Sequence, residues 1–275
     1  MIQGENMSSI GFIGAGNMAQ ALINGIIQAG KFAPSDIMVS DISAERLKWL
    51  AKEYGVVAVS NNTDIVQKAD IVVLSVKPQV MARVLEEIKT DIKKNSVVIS
   101  IAAGITVESI SSVLGDVQVI RVMPNTPSLV SEGMSGLYSP NASDNAMQGA
   151  LEILEGAGKA VIVDNEDLID AVTAVSGSGP AYFFLLMEEM IKTAQKLGLS
   201  KDTATDLVLQ TAKGASILAE IAQLKGETAE ELRRKVTSPG GTTEAAINTF
   251  KDGFLDKLVE KAMTAAYDRS KELSG

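Results

Sequence analysis

Gly11-Phe12-Ile13-Gly14-Ala15-Gly16-Asn17-Met18-Ala19 follows a short apolar run and leads into the helix-like stretch Ala21-Leu22-Ile23-Asn24-Gly25-Ile26. Gly14-x-Gly16-x-x-Ala19 therefore sits on a strand-to-helix turn, the context in which a glycine triplet binds a dinucleotide. Gly14 lets the chain turn tightly, and Gly16 lets the backbone approach a pyrophosphate. Ala19 lets the helix pack close to its strand while the first helical amides face the anion. Ala15, Asn17 and Met18 complete this cofactor-binding turn. The triplet alone is common; its place on the first strand of a series of βα units gives it weight.

From Ser9 to about Asp164, short runs rich in Val and Ile alternate with amphipathic stretches, the pattern of a parallel sheet covered by helices. Strands are expected at Ile10–Ile13, Ile37–Ser40, Ile71–Val76, Val97–Ile101, Gln118–Val122 and Lys159–Val163. A helix is expected over Ser43–Tyr54, with Ser43 as N-cap and Arg46 and Lys48 on the exposed side. Another is expected over Pro78–Thr90, opening with Pro in its first turn. Residues 1–8 read as a loose extension.

The strand ends carry the chemistry. After the second strand, an acidic residue would hydrogen-bond a ribose 2′-hydroxyl and a basic one would meet a 2′-phosphate. Asp41 favours NAD by this rule, while Ser40, Ser43 and Arg46 offer a phosphate site and Asp41 also fits a plain strand-end turn. Val76-Lys77-Pro78 lies at the carboxyl edge of the sheet, where such folds bind ligands, so Lys77 is expected to meet the cofactor's ribose or phosphates. Ala102-Ala103-Gly104 and Pro124-Asn125-Thr126-Pro127 close later strands with residues small enough to leave room for a flat nicotinamide ring.

After about Asn165 the strands vanish and apolar residues recur at i, i+3, i+4 and i+7. Pro180–Leu197, Lys201–Leu224, Ala229–Val236, Thr242–Phe250 and Leu255–Leu273 read as helices. The expected fold is α/β: a Rossmann-type, doubly wound parallel sheet over residues 1–164, then an all-helical domain over 165–275. The stripes containing Leu207, Leu209, Ile217, Leu218 and Ile221 read as core or subunit interface. The charged run Glu227–Lys235 reads as a solvated helix face.

Composition narrows the chemistry. The 275 residues contain neither Cys nor His, which excludes disulfides, thiolate nucleophiles, Ser-His-Asp catalysis and the commonest zinc sites; no metal is expected. Carboxylates, Lys, Tyr and hydroxyls remain, which suits an enzyme whose cofactor carries the chemistry. A net charge of −9 argues against nucleic acid as a partner. Met1-Ile2-Gln3-Gly4-Glu5-Asn6 lacks the basic and apolar regions of a signal peptide, and no apolar run approaches the roughly 20 residues of a spanning helix. A cytoplasmic protein without a membrane partner is expected.

In the second half, Val236-Thr237-Ser238-Pro239-Gly240-Gly241-Thr242-Thr243-Glu244 sets two glycines, a proline and four hydroxyls between helices. Such a loop can grip a small anion or serve as a mere turn. Taken with Gly11–Ala19, Val76-Lys77-Pro78 and Ser176-Gly177-Ser178-Gly179-Pro180-Ala181-Tyr182, it makes the chain resemble pyrroline-5-carboxylate reductase from about residue 9 to the last helix. The resemblance implies reduction of Δ1-pyrroline-5-carboxylate to L-proline by NADPH or NADH, the last step of proline synthesis. It further implies that the helical domain is a dimerisation domain, giving a homodimer or a higher homo-oligomer up to a decamer, with substrate between one subunit's nicotinamide and the other's loop. Ser238 and the amides of Gly241, Thr242 and Thr243 would then hold the carboxylate, and the Thr243 hydroxyl would bond the ring nitrogen as the catalytic group. On the cofactor side the resemblance maps the adenosine to Asp41 and Asn62, the ribose to Lys77 and the nicotinamide pocket to Ala103 and Asn125. Two features depart from the family: Thr228-Ala229 stands where many members carry His-Pro, and Asp41-Ile42 offers no positive charge for a 2′-phosphate.

Two rival readings differ in kind. A β-hydroxyacid dehydrogenase depends on a Lys four residues after a Gly-rich turn at the domain junction, and counting from Gly179 lands on Phe183. A non-catalytic dinucleotide-sensing protein would account for the scarcity of acids and bases but leaves Ser238–Thr243 without a task.

Overall fold

The computed structural model describes residues 9–274; the reading of residues 1–8 lies outside them. Eight strands form among the described residues: β1 Ile10–Ile13, β2 Ile37–Ser40, β3 Val57–Ala58, β4 Ile71–Leu74, β5 Val97–Ser100, β6 Gln118–Met123, β7 Gly133–Tyr138 and β8 Gly158–Ile162. The α-helices are α1 Asn17–Gln28, α2 Ala44–Tyr54, α3 Asn62–Lys68, α4 Pro78–Ile88, α5 Val107–Leu114, α6 Asp144–Glu155, α7 Leu168–Val172, α8 Gly179–Lys196, α9 Lys201–Gln223, α10 Ala229–Lys235, α11 Thr242–Asp252 and α12 Leu255–Ser274.

The strands make one sheet in the order β3-β2-β1-β4-β5-β6-β7-β8. Every residue of β1, β2, β4 and β5 is buried, because helices cover both faces. Alternation sorts the strand residues into two cores. Phe12, Ile71 and Val73 meet α1, α2 and α6 through Leu22, Ile23, Leu50 and Ile153. Ile13, Val72 and Leu74 meet α3, α4 and α5 through Ile65, Met81, Leu85 and Ile110. Each such fully buried aliphatic side chain contributes about 1.5–3 kcal/mol.

The sheet departs from the all-parallel expectation in one pair: β7 runs antiparallel to β6. The segment between them holds only a 3-10 turn at Thr126–Val130, too short for the crossover that a parallel neighbour requires. Neither β7 nor β3 is expected from the sequence. β7 carries Gly133, Ser135 and Gly136 in place of β-branched residues, and β3 is two residues long.

The chain divides into two compact units. One runs to Pro180 and includes the chain from Ala265 onward; the other is Ala181–Thr264. In the second unit Ser200 caps α9, and Thr228 with Glu231 forms a capping box on α10. Few of its side chains are buried: Ala204, Val208 and Ala222 on α9, and none on α10 or α11.

The helical stretch at the start of the second half is longer than its sequence suggests. α7, a π turn at Thr173–Gly177 and α8 follow one another with only a bend at Ser178 before α8. The whole, Leu168–Lys196, is 29 residues long and apolar enough to cross a membrane by length and composition, with 22% of its most apolar window buried. This corrects the reading that no segment approaches spanning length. Ser176-Gly177-Ser178-Gly179-Pro180 interrupts the apolar run in sequence, but the π turn carries the helix across it, with Ser178 N–H donating to the Thr173 carbonyl at 2.7 Å.

Candidate active site

The glycine turn after β1 is built around one backbone contact. Gly14 has φ +101°, and a Cβ there would stand 2.7 Å from the Ser75 carbonyl oxygen. Only glycine lets the turn lie this close to the end of β4. Ser75 secures the contact, its Oγ donating to the Gly14 carbonyl at 2.7 Å. Gly16 is different: nothing lies within 4 Å of where its Cβ would be, and no side chain caps α1 behind it. The first amides of α1 thus face open space, a cradle that fits a pyrophosphate.

Asp41 and Arg46 grip the same turn from β2 and α2. Asp41 accepts from Ala15 N–H at 2.7 Å through one oxygen and from Ser43 N–H at 2.8 Å through the other. Arg46 was expected on the exposed side of its helix. It is instead half-buried, with Nε donating to the Ala15 carbonyl at 2.7 Å, Nη2 donating to Gln20 at 2.6 Å, and the guanidinium 4.6 Å from the Trp49 ring centre. The helical period misjudges it because its long side chain turns back over the N-terminal end of α2. Ser40 and Asn62 also meet: Ser40 Oγ donates to Asn62 Oδ1 at 2.7 Å, and Asn62 Nδ2 donates to Glu87 at 3.0 Å.

The other expected cofactor residues stand at the same carboxyl edge of the sheet. Val76 lies beside Gly14, Lys77 is the exposed residue preceding α4, and Pro78 opens that helix. Ala103 is exposed in the turn after β5. Asn125 is 8% exposed and fully engaged: Nδ2 donates to the Ser176 carbonyl at 3.0 Å and Oδ1 accepts from Met134 N–H at 2.8 Å. Its amide thus braces the π turn and β7.

In the helical unit, Ser238–Gly241 turns the chain into α11. Gly241 N–H donates to the Ser238 carbonyl at 3.0 Å, and Gly240 N–H donates to Glu244 at 2.8 Å. A Cβ on Gly241 would meet Ser238 Oγ at 2.6 Å. No side chain caps α11, so the amides of Thr242 and Thr243 are open to a carboxylate, with both hydroxyls in the same first turn. On α8, Phe183 stands 62% exposed at the position where the rival chemistry needs Lys. Lys192 is bound by Glu188 at 2.5 Å and Glu189 at 2.7 Å, contacts that raise its pKa and, through Lys192, lower that of Glu189. No cluster of three metal-ligating side chains occurs among the described residues.

One polar group escaped sequence reading. Arg121 is buried in β6 against Glu166 and Asp170. Its signal was available, since a lone Arg in Val119-Ile120-Arg121-Val122 demands buried partners.

The order β3-β2-β1-β4-β5-β6, with an open glycine turn where it reverses at β1, defines the class: a dinucleotide-binding protein on a Rossmann-type sheet. Residues 9–104 match the family described as NADP oxidoreductase, coenzyme F420-dependent, and residues 166–273 match that described as pyrroline-5-carboxylate reductase dimerisation. The pyrroline-5-carboxylate reductase of Pseudomonas aeruginosa is 48% identical over 268 residues, covering 96% of each chain. The structure of the Coxiella burnetii pyrroline-5-carboxylate reductase superposes with a TM-score of 0.91 at 41% identity, over 98% of this chain and 99% of that one. The Plasmodium falciparum pyrroline carboxylate reductase, solved with NADP bound, gives 0.86 at 29% identity over 99% and 100%. The chain belongs to the pyrroline-5-carboxylate reductase family.

Proposed function

We infer that this chain reduces Δ1-pyrroline-5-carboxylate to L-proline with NAD(P)H, the last step of proline biosynthesis. The observation that carries the reading is the uncapped N-terminus of α11, where two adjacent amides and two hydroxyls fit an amino-acid carboxylate. Ser238, Gly241, Thr242 and Thr243 hold that group, and the Thr243 hydroxyl steers the ring nitrogen. The reduced nicotinamide, when bound, supplies a hydride to the imine carbon. A protonated imine is already an electrophile, so the residues need only orient it and keep water out; the absence of His and Cys is no obstacle. Losing one positioning bond to a charged nitrogen costs about 1.5–3 kcal/mol, about ten- to a hundredfold in rate.

For the cofactor, Gly14 and Ala15, whose own amides are held by the Ser40 carbonyl and by Asp41, shape the turn, and the amides of Gly16, Asn17 and Met18 take the pyrophosphate. Ser40, Asp41 and Asn62 take the adenosine side; Val76, Lys77 and Pro78 border the ribose and phosphates; Ala103 and Asn125 wall the nicotinamide. Each Asp41 oxygen keeps a lone pair for a ribose hydroxyl, which supports a preference for NADH. We place the dinucleotide-binding domain at residues 1–164 and the helical dimerisation domain at 165–275. Apolar exposure on α8 and α9 supports self-association, as a homodimer or a higher homo-oligomer up to a decamer, in the cytoplasm.

The test is oxidation of NADH and of NADPH with pyrroline-5-carboxylate, beside Thr243→Ala. Turnover that falls about ten- to a hundredfold in the variant supports reaction and residue together. Cofactor binding without turnover overturns the reading in favour of a dinucleotide-sensing protein.

A further inference from the structure

Arg121 is 3% exposed in the middle of β6, and a guanidinium so buried needs its charge and donors answered. Nη1 donates to Glu166 Oε1 at 2.9 Å; Nη2 donates to Ser274 Oγ at 3.3 Å and lies 3.8 Å from Asp170 Oδ1. The two acids reach further. Glu166 Oε1 also accepts from the N–H of Val107, the first residue of α5, at 2.8 Å. Asp170 Oδ1 accepts from Ser270 Oγ at 2.6 Å, with Asp170 and Ser270 only 5% and 6% exposed. One buried guanidinium thereby joins β6, the start of α5, α7 and the last turn of α12. The reduction uses none of these groups.

A separate contact shows what this junction holds. Gly104 has φ +73°, and a Cβ there would stand 2.6 Å from the Leu273 carbonyl oxygen. The last turn of α12 therefore rests on the backbone of Gly104, the residue after Ala103 in the turn leading from β5 to α5. Glu166 fixes the far end of that connection at Val107.

We propose that the last turn of α12, bolted down by Asp170 and Arg121, is a positioning element for the cofactor: it fixes the β5–α5 turn and with it the nicotinamide wall at Ala103. The proposal rests on the placement of Ala103 given above. Arg121, Asp170 and Ser270 are positioning residues that touch neither substrate nor cofactor.

The experiment measures the dissociation constant of NADH by its fluorescence, with steady-state kinetics and melting temperature, for Ser270→Ala, Ser270→Thr, the chain shortened to end at Glu272, and Ala103→Leu. Ser270→Ala and the shortened chain should raise the dissociation constant and the KM for NADH about three- to tenfold, with kcat at saturation and the KM for pyrroline-5-carboxylate within about twofold. Ser270→Thr, which keeps the hydroxyl, should restore most of the loss. A lower melting temperature with unchanged NADH binding overturns the proposal by reducing the junction to a structural clamp. If Ala103→Leu weakens NADH binding while neither Ser270→Ala nor the shortened chain does, the proposal falls and the Ala103 placement stands. If Ala103→Leu leaves NADH binding unchanged, the placement itself falls, and the proposal with it.

Discussion

Ala15 is held through both its backbone groups, its amide by Asp41 and its carbonyl by Arg46, so the pyrophosphate cradle is shaped before any ligand arrives. Such preorganisation lowers the ordering cost of binding. It also makes the turn intolerant of change at Gly14. Gly14→Ala would put a methyl 2.7 Å from the Ser75 carbonyl in a left-handed conformation, so it should destabilise the fold by more than about 1 kcal/mol and abolish NADH binding, read by denaturant unfolding and fluorescence titration. Asn125 presents a different case. Asn125→Asp keeps the acceptor for Met134 N–H but replaces the donor to Ser176 with an oxygen facing a carbonyl. It should cost about 1–3 kcal/mol in unfolding free energy, more than the same change at the exposed Asn145, which serves as the reference.

At the scale of elements, caps depend on local sequence, and Ser43 is legible as the N-cap of α2 from its own neighbours, while the Ser200 cap and the Thr228–Glu231 box emerge with the structure. Ser43 and Ser200 cap the helices that follow them, and Thr228-x-x-Glu231 makes both bonds of a capping box. The Thr228 backbone N–H and then its hydroxyl hold the Glu231 carboxyl below the ordinary carboxylate range. A group whose pKa is lowered by folding stabilises above its unfolded value and loses that contribution as pH falls through the folded one. Acid titration from neutrality should therefore weaken the start of α10, seen as a lower protection factor at the Glu231 amide, its exchange rate being referred to that of an unstructured peptide at the same pH, and Glu231→Gln should remove that pH dependence. What sequence could not supply is the tertiary part. Arg46 turned from an exposed position to the glycine turn because its partners Ala15 and Gln20 are distant in sequence. β7 exists because a short connection after β6 forces the chain back along it, although its own residues favour no strand. The π turn follows the same logic, since it crosses a Ser-Gly-Ser-Gly-Pro sequence that reads locally as a break. Glycine fingerprint, strand ends and loop were visible because each depends on neighbours within a few residues.

At the scale of the molecule, the helical unit leaves much of its apolar surface uncovered. Phe183, Phe184, Leu185 and Leu186 are 50–62% exposed along α8, and Leu207, Leu209, Ile217 and Leu218 are 46–53% exposed on α9. A groove of about 470 Å³ between these helices is lined by Phe183, Leu186, Met190 and Val208. Apolar surface exposed along both helices is characteristic of an interface, and Leu168–Lys196 is long and apolar enough to span a membrane for the same reason: much of its apolar side-chain surface is left uncovered by one copy of the chain. Burying a second copy against it would remove that surface from water at about 25 cal/mol per Å². Phe184→Glu places a charge where the partner must desolvate it, while the side chain's present exposure leaves the fold of a single chain unharmed. The variant should sediment as a monomer, keep its helical circular dichroism and retain NADH binding. If substrate is completed by the loop of a second copy, turnover should fall with the loss of the oligomer and recover partly as protein concentration rises. An active monomer of unchanged kcat would mean that each chain closes its own site, leaving the apolar surface to assembly alone.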